Sequence, residues 1–376
     1  MRRHGGRAIA ALGCAVVTIA GCGSSPSTPP STSHASDAVG TSTAAARHFL
    51  DDYVSADGRV IRHDQGGDIV SEGQAYGMLV AEIAGRPGTV RAIWAWTRAH
   101  LSRADGLLQS QADGAGSIEN PQPAADADVL AAYALLRYRG AGAGALHRAG
   151  RALAGAVLGH ESVSTGSAVV IAAGPWALAS RPVTVDPSYL MPGVFAALAR
   201  DTGDARWARA AATAVRLVRG LTEDGRLLPA DWATLDAGHL TAVPKPGGGV
   251  PVQYGLDAQR LPLWFATACT APARDLAGRW WTDVLAHGDR AAKLALTPRG
   301  ATVTGTTNPL PLLAAAAAAH AAGDGSAAAS LLGRARAQAR ATPTYYGDAW
   351  LALASSLLDG ALGPCREAAA GAPSGT

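Results

Sequence analysis

Apolar residues along the chain recur with helical spacing, and no segment shows a convincing alternation of apolar and polar residues that would predict a strand. We predict twelve helices from this pattern. They span residues 44–55, 72–85, 89–102, 126–140, 145–160, 187–203, 205–220, 256–270, 271–286, 309–323, 325–340 and 346–362. Glycines such as Gly203 and Gly323 suit helix C-termini and support several of these ends.

The connections between the predicted helices alternate in length. Tight turns join the second helix to the third, the fourth to the fifth and so on, whereas long loops precede most of the even-numbered helices. These loops cover residues 56–71, 103–125, 161–186, 221–255 and 287–308. Antiparallel helix pairs connected in this way predict an all-α fold, an (α/α)6 toroid barrel of six inner and six outer helices. Its long loops crowd one face, where functional residues usually collect.

The first residues have the pattern of an export signal, so we do not expect them to belong to the folded domain. The positively charged MRRHGGR precedes AIAALGCAVVTIA, an apolar stretch too short to span a bilayer. The sequence IAGC then places small residues before Cys22 and resembles the lipobox of bacterial lipoproteins, in which the cysteine is acylated after cleavage. We therefore expect a signal peptide over residues 1–21, lipidation of Cys22, and an extracytoplasmic protein that is membrane-anchored by lipid or secreted.

A tract rich in Ser, Thr and Pro follows and lacks the apolar residues that folding requires. It predicts a disordered tether over residues 22–43 and one folded domain over residues 44–376. Two cysteines, Cys269 and Cys365, remain in that domain. An oxidising compartment would permit a disulfide between them, but their spacing alone leaves the pairing open.

Composition narrows the classes of partner. The chain has 376 residues, 48% of them hydrophobic, which is enough for a large core. Its net charge is +3, and the sequence contains no run of Lys or Arg, which argues against nucleic-acid binding. No group of His, Cys, Asp and Glu has a zinc-ligand spacing such as HExxH, so we expect neither a metal nor a cofactor. We expect a monomer that meets the membrane only through its lipid.

The segment VSEGQAYGMLVA, residues 70–81, begins the second predicted helix. Ser71 and Gln74 have the spacing of a capping box, and Glu72 complements the helix dipole. Gly73 and Gly77 each cost about 0.5–1 kcal/mol in a helix relative to alanine. We therefore expect these glycines to admit another helix or a ligand.

Carboxylates stand at or near the start of most of the predicted inner helices. Each one alone is explained by helix capping or by the helix dipole. Together at one end of a barrel they would repel one another, which is costly unless the group has a chemical role. The residues are Glu72, Asp126, Asp128, Asp186, Asp257 and Asp348.

Four segments of the chain resemble motifs of glycoside hydrolase family 8, in the family's order. They are SEGQAYGM (71–78), AADADVLAAYALL (124–136), DPSYL (186–190) and YGLDAQRLPLW (254–264). The similarity runs from about Phe49 to about Trp350 and is nearest to the bacterial cellulose-synthesis-associated endo-β-1,4-glucanases. It implies an (α/α)6 barrel and an endo-acting, inverting hydrolase of β-1,4-linked glucan, either cellulose or a related β-glucan exopolysaccharide. Ala125 and Ala131 depart from the signature at packing positions, and Leu256 stands where the family has tyrosine.

The resemblance also implies roles for individual residues. Glu72 matches the proton donor and Asp257 the aspartate base, while Asp126 would grip and distort the sugar at the cleavage point. Burial and a neighbouring carboxylate, Asp126 or Asp128, must raise the pKa of Glu72 if it is to hold a proton near neutrality. Arg260, three residues beyond Asp257, would favour the ionised base.

Further residues are predicted to bind substrate. Four aromatic residues are candidates for stacking on sugar rings, although aromatic side chains at helical spacing more often belong to the core, and Tyr189 and Trp232 are favoured. The full set is Asp128, Asp186, Tyr189, Trp232, Tyr254, Arg260 and Tyr76. Two other classes stay open: another glycan-active toroid, such as a chitosanase, xylanase or polysaccharide lyase, and a non-catalytic glycan-binding lipoprotein.

Overall fold

The computed structural model describes residues 33–305, 308–363 and 365, and all structural statements concern these residues. Most of them belong to helices. The α-helices are α1 (Ser33–Tyr53), α2 (Ser71–Ile83), α3 (Pro87–His100), α4 (Ala125–Arg137), α5 (Ala143–His160), α6 (Pro175–Leu178), α7 (Pro192–Thr202), α8 (Ala205–Leu221), α9 (Leu261–Ala266), α10 (Ala271–Trp280), α11 (Pro309–Ala321), α12 (Gly325–Ala341) and α13 (Tyr345–Leu358). Each of the twelve predicted helices has a counterpart, so the prediction of a helix-rich, all-α fold is confirmed.

The first helix begins at Ser33 and not at residue 44, so the predicted tether is too long at its C-terminal end. Ser42, Ala46 and Phe49 are fully buried on this helix, which packs against α13 and α2. A serine adds nothing to a hydrophobic pattern, yet Ser42 lies on the buried face. The signal peptide and Cys22 lie outside the described residues.

Two predicted helices are divided by proline. The predicted helix 187–203 is a 3-10 turn over Pro187–Tyr189 followed by α7, and the predicted helix 256–270 is a 3-10 turn over Ala258–Arg260 followed by α9. Pro192 and Pro262 occupy the first turns of α7 and α9. Because proline has no N–H, each of these helices starts afresh there.

The sequence predicted no strands, which is wrong for the long loops. They contain the short strands β1 (Ile69–Val70), β2 (Gln111–Ala112), β3 (Ile118–Asn120), β4 (Ser162–Thr165), β5 (Ala168–Ile171), β6 (Val183–Val185), β7 (Trp232–Asp236), β8 (His239–Val243), β9 (Ala295–Leu296) and β10 (Thr302–Thr304). These strands pair as the antiparallel sheets β1–β2–β3, β4–β5, β6–β7–β8 and β10–β9. Strands of two to five residues are too short to reveal an alternation.

The helices contact one another in a regular order. Helices α2, α4, α7, α9, α11 and α13 each contact the next, and α13 contacts α2. Helix α3 packs on α2, α5 on α4, α8 on α7, α10 on α9 and α11, and α12 on α11. Burial follows this division, because α11 is buried along most of its length whereas α12 buries only Leu331, Ala335 and Ala339.

The two glycines of α2 have a packing role. A β-carbon on Gly73 would lie 2.5 Å from the hydroxyl oxygen of Tyr345, and one on Gly77 would lie 2.6 Å from a methyl carbon of Val60. The close approach expected from the sequence is therefore to neighbouring side chains of the fold. These contacts give no support to the expectation that the glycines make room for a ligand.

The predicted capping box at the start of α2 is wrong. The hydroxyl of Ser71 has no hydrogen-bond partner in the described part of the chain. The Gln74 amide is fully buried, where it accepts from the Val60 N–H at 2.7 Å and donates to the Thr97 hydroxyl at 2.9 Å. Gln74 thus ties α2 to the preceding loop and to α3.

The disulfide that the sequence left open is formed between Cys269 and Cys365, whose Cα atoms are 5.3 Å apart. It joins the turn between α9 and α10 to the segment that follows α13. No helix among the described residues combines the length and the apolar character needed to cross a membrane.

Candidate active site

An open cavity of about 190 Å³ lies where the chain enters α2 and α4. It brings together side chains that are far apart in the sequence, including five of the predicted site residues. Its lining consists of Val70, Ser71, Glu72, Ser110, Gln111, Ala124, Asp126, Tyr189, Asp257 and Arg260. Four larger cavities, of about 440, 580, 390 and 220 Å³, have no pair of carboxylates in their linings.

Arg260 is the central cation of this site, and its side chain is only 4% exposed. One guanidinium nitrogen, Nη1, donates to Glu72 Oε1 at 2.6 Å and to Asp126 Oδ2 at 2.8 Å. A buried charge is tolerated only when it is paired and hydrogen-bonded, and these carboxylates provide that pairing. Arg260 therefore fixes the relative positions of residues from α2 and α4.

The second terminal nitrogen of the guanidinium, Nη2, contacts a different set of residues. It donates to the Ser188 hydroxyl at 2.6 Å and lies 3.6 Å from Asp186 Oδ2 and 3.6 Å from Asp257 Oδ1. The proximity of Arg260 to Asp257 agrees with the pairing expected from their spacing. One arginine thus contacts four carboxylates, so the site carries an excess of acidic groups.

Glu72 is placed to hold a proton near neutrality. Its side chain is 23% exposed, and Oε1 accepts from the Tyr76 hydroxyl at 2.6 Å as well as from Arg260. Burial, and then the nearby Asp126 carboxylate, raise the pKa of Glu72 to about 7 against the opposing effect of Arg260. Because Oε1 already accepts two hydrogen bonds, a proton on this carboxyl belongs on Oε2.

The two aspartates near the start of α4 have different surroundings. Asp126 lines the cavity, where Oδ1 accepts from the Ala127 N–H at 2.8 Å and Oδ2 accepts from Arg260. Asp128 is fully buried outside the cavity lining and accepts from the Leu108 N–H at 2.9 Å. The prediction that Asp128 binds substrate is therefore corrected, because residues two apart face different sides of a helix. Burial raises the pKa of Asp128 well above its ordinary value.

Asp257 lies on the cavity wall directly before the Ala258–Arg260 turn, with a side chain that is 32% exposed. Asp257 Oδ1 and Glu72 Oε1 contact the same guanidinium group at 3.6 and 2.6 Å. Because both oxygens contact one guanidinium, the distance between them is at most about 9.5 Å. Inverting glycosidases separate their two carboxyl groups by roughly 6.5–9.5 Å, so the two residues are close enough for that mechanism. A molecule bound in the cavity would therefore meet both carboxylates.

Asp186 and Tyr189 belong to one short turn. Asp186 caps it, with Oδ1 accepting from the Ser188 N–H at 2.8 Å and from its hydroxyl at 2.7 Å. Because Asp186 is 1% exposed, burial followed by the charge of Asp257 raises its pKa well above the ordinary value. The predicted contact of Asp186 with substrate finds no support in this buried position. Tyr189 does line the cavity, with its ring centroid 5.5 Å from the Arg260 guanidinium carbon.

The predicted stacking residues differ in accessibility. Tyr76 is fully buried and Tyr254 is 2% exposed, so neither ring offers a face to a sugar, which corrects the prediction for both. Trp232 is partly exposed on β7 but lies outside the cavity lining. Trp176, which was not among the predicted residues, is 38% exposed on α6, where its indole nitrogen lies near Gly174.

Other groups also differ from the sequence-based view. Asp348 accepts a hydrogen bond from the Tyr53 hydroxyl at 3.1 Å and is absent from the cavity lining, so it does not join the carboxylates of the site. Three residues at or near the site were not predicted from the sequence: Gln111 lines the cavity, Ser188 accepts a hydrogen bond from Arg260, and Asp231 lies near Asp257. Ser188 belongs to the DPSYL motif, which was a usable indication, whereas Gln111 on β2 and Asp231 before β7 lie outside the four motifs. In the described part of the chain, no cluster of three or more His, Cys, Asp or Glu side chains is arranged to hold a metal ion.

The chain is similar to several known proteins. It is 29% identical over 254 residues to a probable endoglucanase from Novacetimonas hansenii, covering 62% of this chain and 70% of that protein. A structure of an endo-beta-1,4-glucanase from Acetobacter xylinum has a TM-score of 0.67 at 24% identity, covering 86% of this chain and 98% of that one. A beta-1,3-1,4-glucanase from Paenibacillus sp. X4 has a TM-score of 0.77 at 20% identity, covering 90% and 96%.

The family comparison agrees with the four motifs. The model described as glycosyl hydrolases family 8 matches residues 31–360, which is most of the chain. The family resemblance drawn from the sequence is thereby confirmed, and the acidic cavity lies within the matched range. The chain belongs to glycosyl hydrolases family 8.

Proposed function

We propose that this glycoside hydrolase is an endo-acting enzyme that cleaves β-1,4-linked glucan, cellulose or a related β-glucan exopolysaccharide, with inversion at the anomeric carbon. The observation that carries the proposal is the placement of Glu72 and Asp257 around Arg260 in one open cavity. The names of the relatives support β-glucan as the substrate class.

Glu72 acts as the general acid. With a pKa of about 7, a large share of the molecules hold the proton at neutral pH, on the Oε2 atom that the surrounding donors leave unused. That proton passes to the glycosidic oxygen as the bond between this oxygen and the anomeric carbon breaks. The leaving sugar departs as a neutral alcohol, and Glu72 is left as a carboxylate facing Arg260.

Asp257 acts as the general base. Its partly exposed carboxylate takes a proton from a water molecule, and the water oxygen forms a bond to the anomeric carbon on the face opposite the leaving group. A β-linkage therefore yields an α-hemiacetal product. After one reaction Glu72 has lost its proton and Asp257 has gained one. Glu72 must take up a proton from solvent and Asp257 must release one before the next cycle.

Asp126 and Arg260 prepare the acid and the sugar. The Asp126 carboxylate opposes ionisation of Glu72 and lines the cavity, where it can accept hydrogen bonds from a sugar hydroxyl and favour a distorted ring. The positive charge of Arg260 offsets the repulsion among the carboxylates of the site. Tyr189 supplies an aromatic surface to the cavity lining.

We also propose the architecture and the location predicted from the sequence. The cyclic contacts of α2, α4, α7, α9, α11 and α13 support an (α/α)6 toroid with these helices inside. The disulfide between Cys269 and Cys365 supports an oxidising compartment, which suits an exported lipoprotein anchored through Cys22 or a secreted protein. We further propose that the protein acts as a monomer.

The test is hydrolysis by the purified domain. Reducing ends released from mixed-linkage β-glucan, carboxymethylcellulose, xylan and chitosan identify the substrate class, and product lengths separate endo from exo cleavage. Proton NMR of the first product from a β-linked oligosaccharide should show the α-anomer. Preferential hydrolysis of xylan or chitosan would reassign the substrate, and an initial β-anomer would exclude inversion.

A further inference from the structure

Asp231 is a buried carboxylate that the proposed reaction does not use. It is 7% exposed, precedes strand β7 and is absent from the cavity lining. Burial, and then the charge of Asp257, raise the pKa of Asp231 to about 6. A second carboxylate close to Asp257 is therefore unfavourable, and its presence calls for a compensating role.

The hydrogen bonds of Asp231 lie on both sides of Asp257. One oxygen, Oδ1, accepts from the Gly255 N–H at 2.8 Å and from the Ala258 N–H at 2.9 Å. Both donors are buried, so each requires a partner. A single oxygen atom thus holds the backbone two residues before and one residue after Asp257.

The second oxygen binds the segment just before this turn. Oδ2 accepts from the Gln253 side-chain amide at 2.9 Å, and the Asp231 N–H donates to the Gln253 carbonyl at 2.8 Å. A β-carbon on Gly255 would collide with Asp231 Oδ2 and would lie 2.6 Å from the Gln253 amide nitrogen. Glycine at position 255 therefore allows the carboxylate to come this close.

The side chain of Asp257 has little else to hold it. It is 32% exposed, and the contact with Arg260 is 3.6 Å long. The position of its carboxylate therefore depends mainly on the backbone of the turn. A displacement of about 1 Å in a reacting group can cost about 10²-fold in rate.

We propose that Asp231 is a positioning residue for the general base, holding the turn from Gly255 to Ala258 so that the Asp257 carboxylate faces the cleft. This inference rests on the proposed function, since it takes Asp257 to be the base. Asp231 does not touch the substrate, so its loss lowers kcat and leaves substrate binding nearly intact.

The experiment compares Asp231→Ala, Asp231→Asn and Gly255→Ala on a neutral cello-oligosaccharide. Asparagine keeps an oxygen that can accept from both N–H groups, whereas alanine removes it. Asp324→Ala is the matched control, because Asp324 also accepts two hydrogen bonds, from the Ala327 N–H at 3.0 Å and the Trp281 indole at 3.3 Å, and lies at the start of α12 outside the cavity lining. Thermal unfolding of every variant reports the purely structural effect.

We expect Asp231→Ala to lose about 10²-fold in kcat with KM changed by less than about threefold, and Asp231→Asn to recover kcat to within about tenfold of wild type. Gly255→Ala should resemble Asp231→Ala, while Asp324→Ala should lower the melting temperature with kcat unchanged. Asp231→Ala with wild-type kcat, or with its loss confined to KM, overturns the inference. So does an equal loss of kcat in Asp231→Ala and Asp231→Asn.

Hydrogen exchange separates this inference from the proposed function. If wild type hydrolyses none of the glucans, the proposed function fails. Hydrogen exchange at the amides of Gly255 and Ala258 still tests whether Asp231 holds the turn. Faster exchange at these amides in Asp231→Ala, with exchange in α12 unchanged, supports the role of Asp231 in holding the turn. Unchanged exchange at Gly255 and Ala258 overturns it. Should Asp231→Ala not fold, Asp231→Asn and Gly255→Ala carry the same comparison.

Discussion

The replacement of Asp126 by asparagine should move the alkaline limb of the pH profile to lower pH. Glu72 must be protonated to act as the acid, so kcat/KM of wild type should fall above its pKa of about 7. Asp126 raises that pKa because its negative charge disfavours ionised Glu72. Removing the charge makes ionisation easier, so the acid loses its proton at lower pH.

The size of the shift follows from the geometry. Glu72 Oε1 and Asp126 Oδ2 share one hydrogen-bond donor, Arg260 Nη1, at 2.6 and 2.8 Å, which keeps these oxygens close together. At about 5 Å and an effective dielectric constant of about 20, two unit charges interact by about 3 kcal/mol, or about two pKa units. Water entering the altered site reduces this effect, so we expect the limb to fall by about one to two pH units.

The assay is kcat/KM for a neutral cello-oligosaccharide across the pH range at constant ionic strength. At pH 7 the acid form of Glu72 in Asp126→Asn should be depleted by about tenfold relative to wild type, in addition to any loss from weaker sugar contacts. Asp128→Asn provides the control, because it makes the same chemical change two residues away at a side chain outside the cavity lining. An alkaline limb that stays in place or rises in Asp126→Asn would refute the assigned cause, as would an equal shift in the control.

Four further predictions concern the acid and base, metals, the disulfide and the lipid. Glu72→Gln should lose about 10²–10⁴-fold in rate and be partly rescued by a substrate with a good leaving group, whereas Asp257→Asn should not be rescued; equal rescue of both would contradict the assignment. Activity measured in EDTA should equal that of the untreated enzyme, because two-carboxylate inversion needs no Lewis acid; zinc- or calcium-dependent recovery would show the mechanism to be incomplete. Replacing Cys269 and Cys365 together by serine should lower the free energy of unfolding by about 2–5 kcal/mol in chemical denaturation, and an unchanged midpoint would argue against a stabilising bond. Cys22→Ser should abolish fatty-acid labelling in cells, and labelling equal to wild type would exclude the lipoprotein assignment.

The positions and types of the long helices could be read from the sequence because burial repeats every three to four residues along them. Their exact starts could not. Helix α1 begins before residue 44 and buries Ser42, a residue that has no hydrophobic signal of its own. The capping box at Ser71 and Gln74 failed for a related reason: the Gln74 amide satisfies buried groups of a loop and of α3 instead of the helix end.

The candidate site, like the helices, could be predicted from the sequence only in part. Motif resemblance selected Glu72, Asp126, Asp257 and Arg260, because the residue types and their local spacing are linear features of the chain. Burial of the Tyr76 ring depends on which surfaces meet after folding, and so does the convergence of four carboxylates on one guanidinium.

The helical class and the family follow from local periodicity and motifs, which also single out the candidate acid and base. The Glu72 pKa, the exclusion of Asp128 from the cavity lining and the hydrogen bonds of Asp231 to the turn that carries Asp257 arise only once the chain has folded. Each of these depends on the distance between groups remote in the chain. Such distances are set by packing, which no local pattern of residues records.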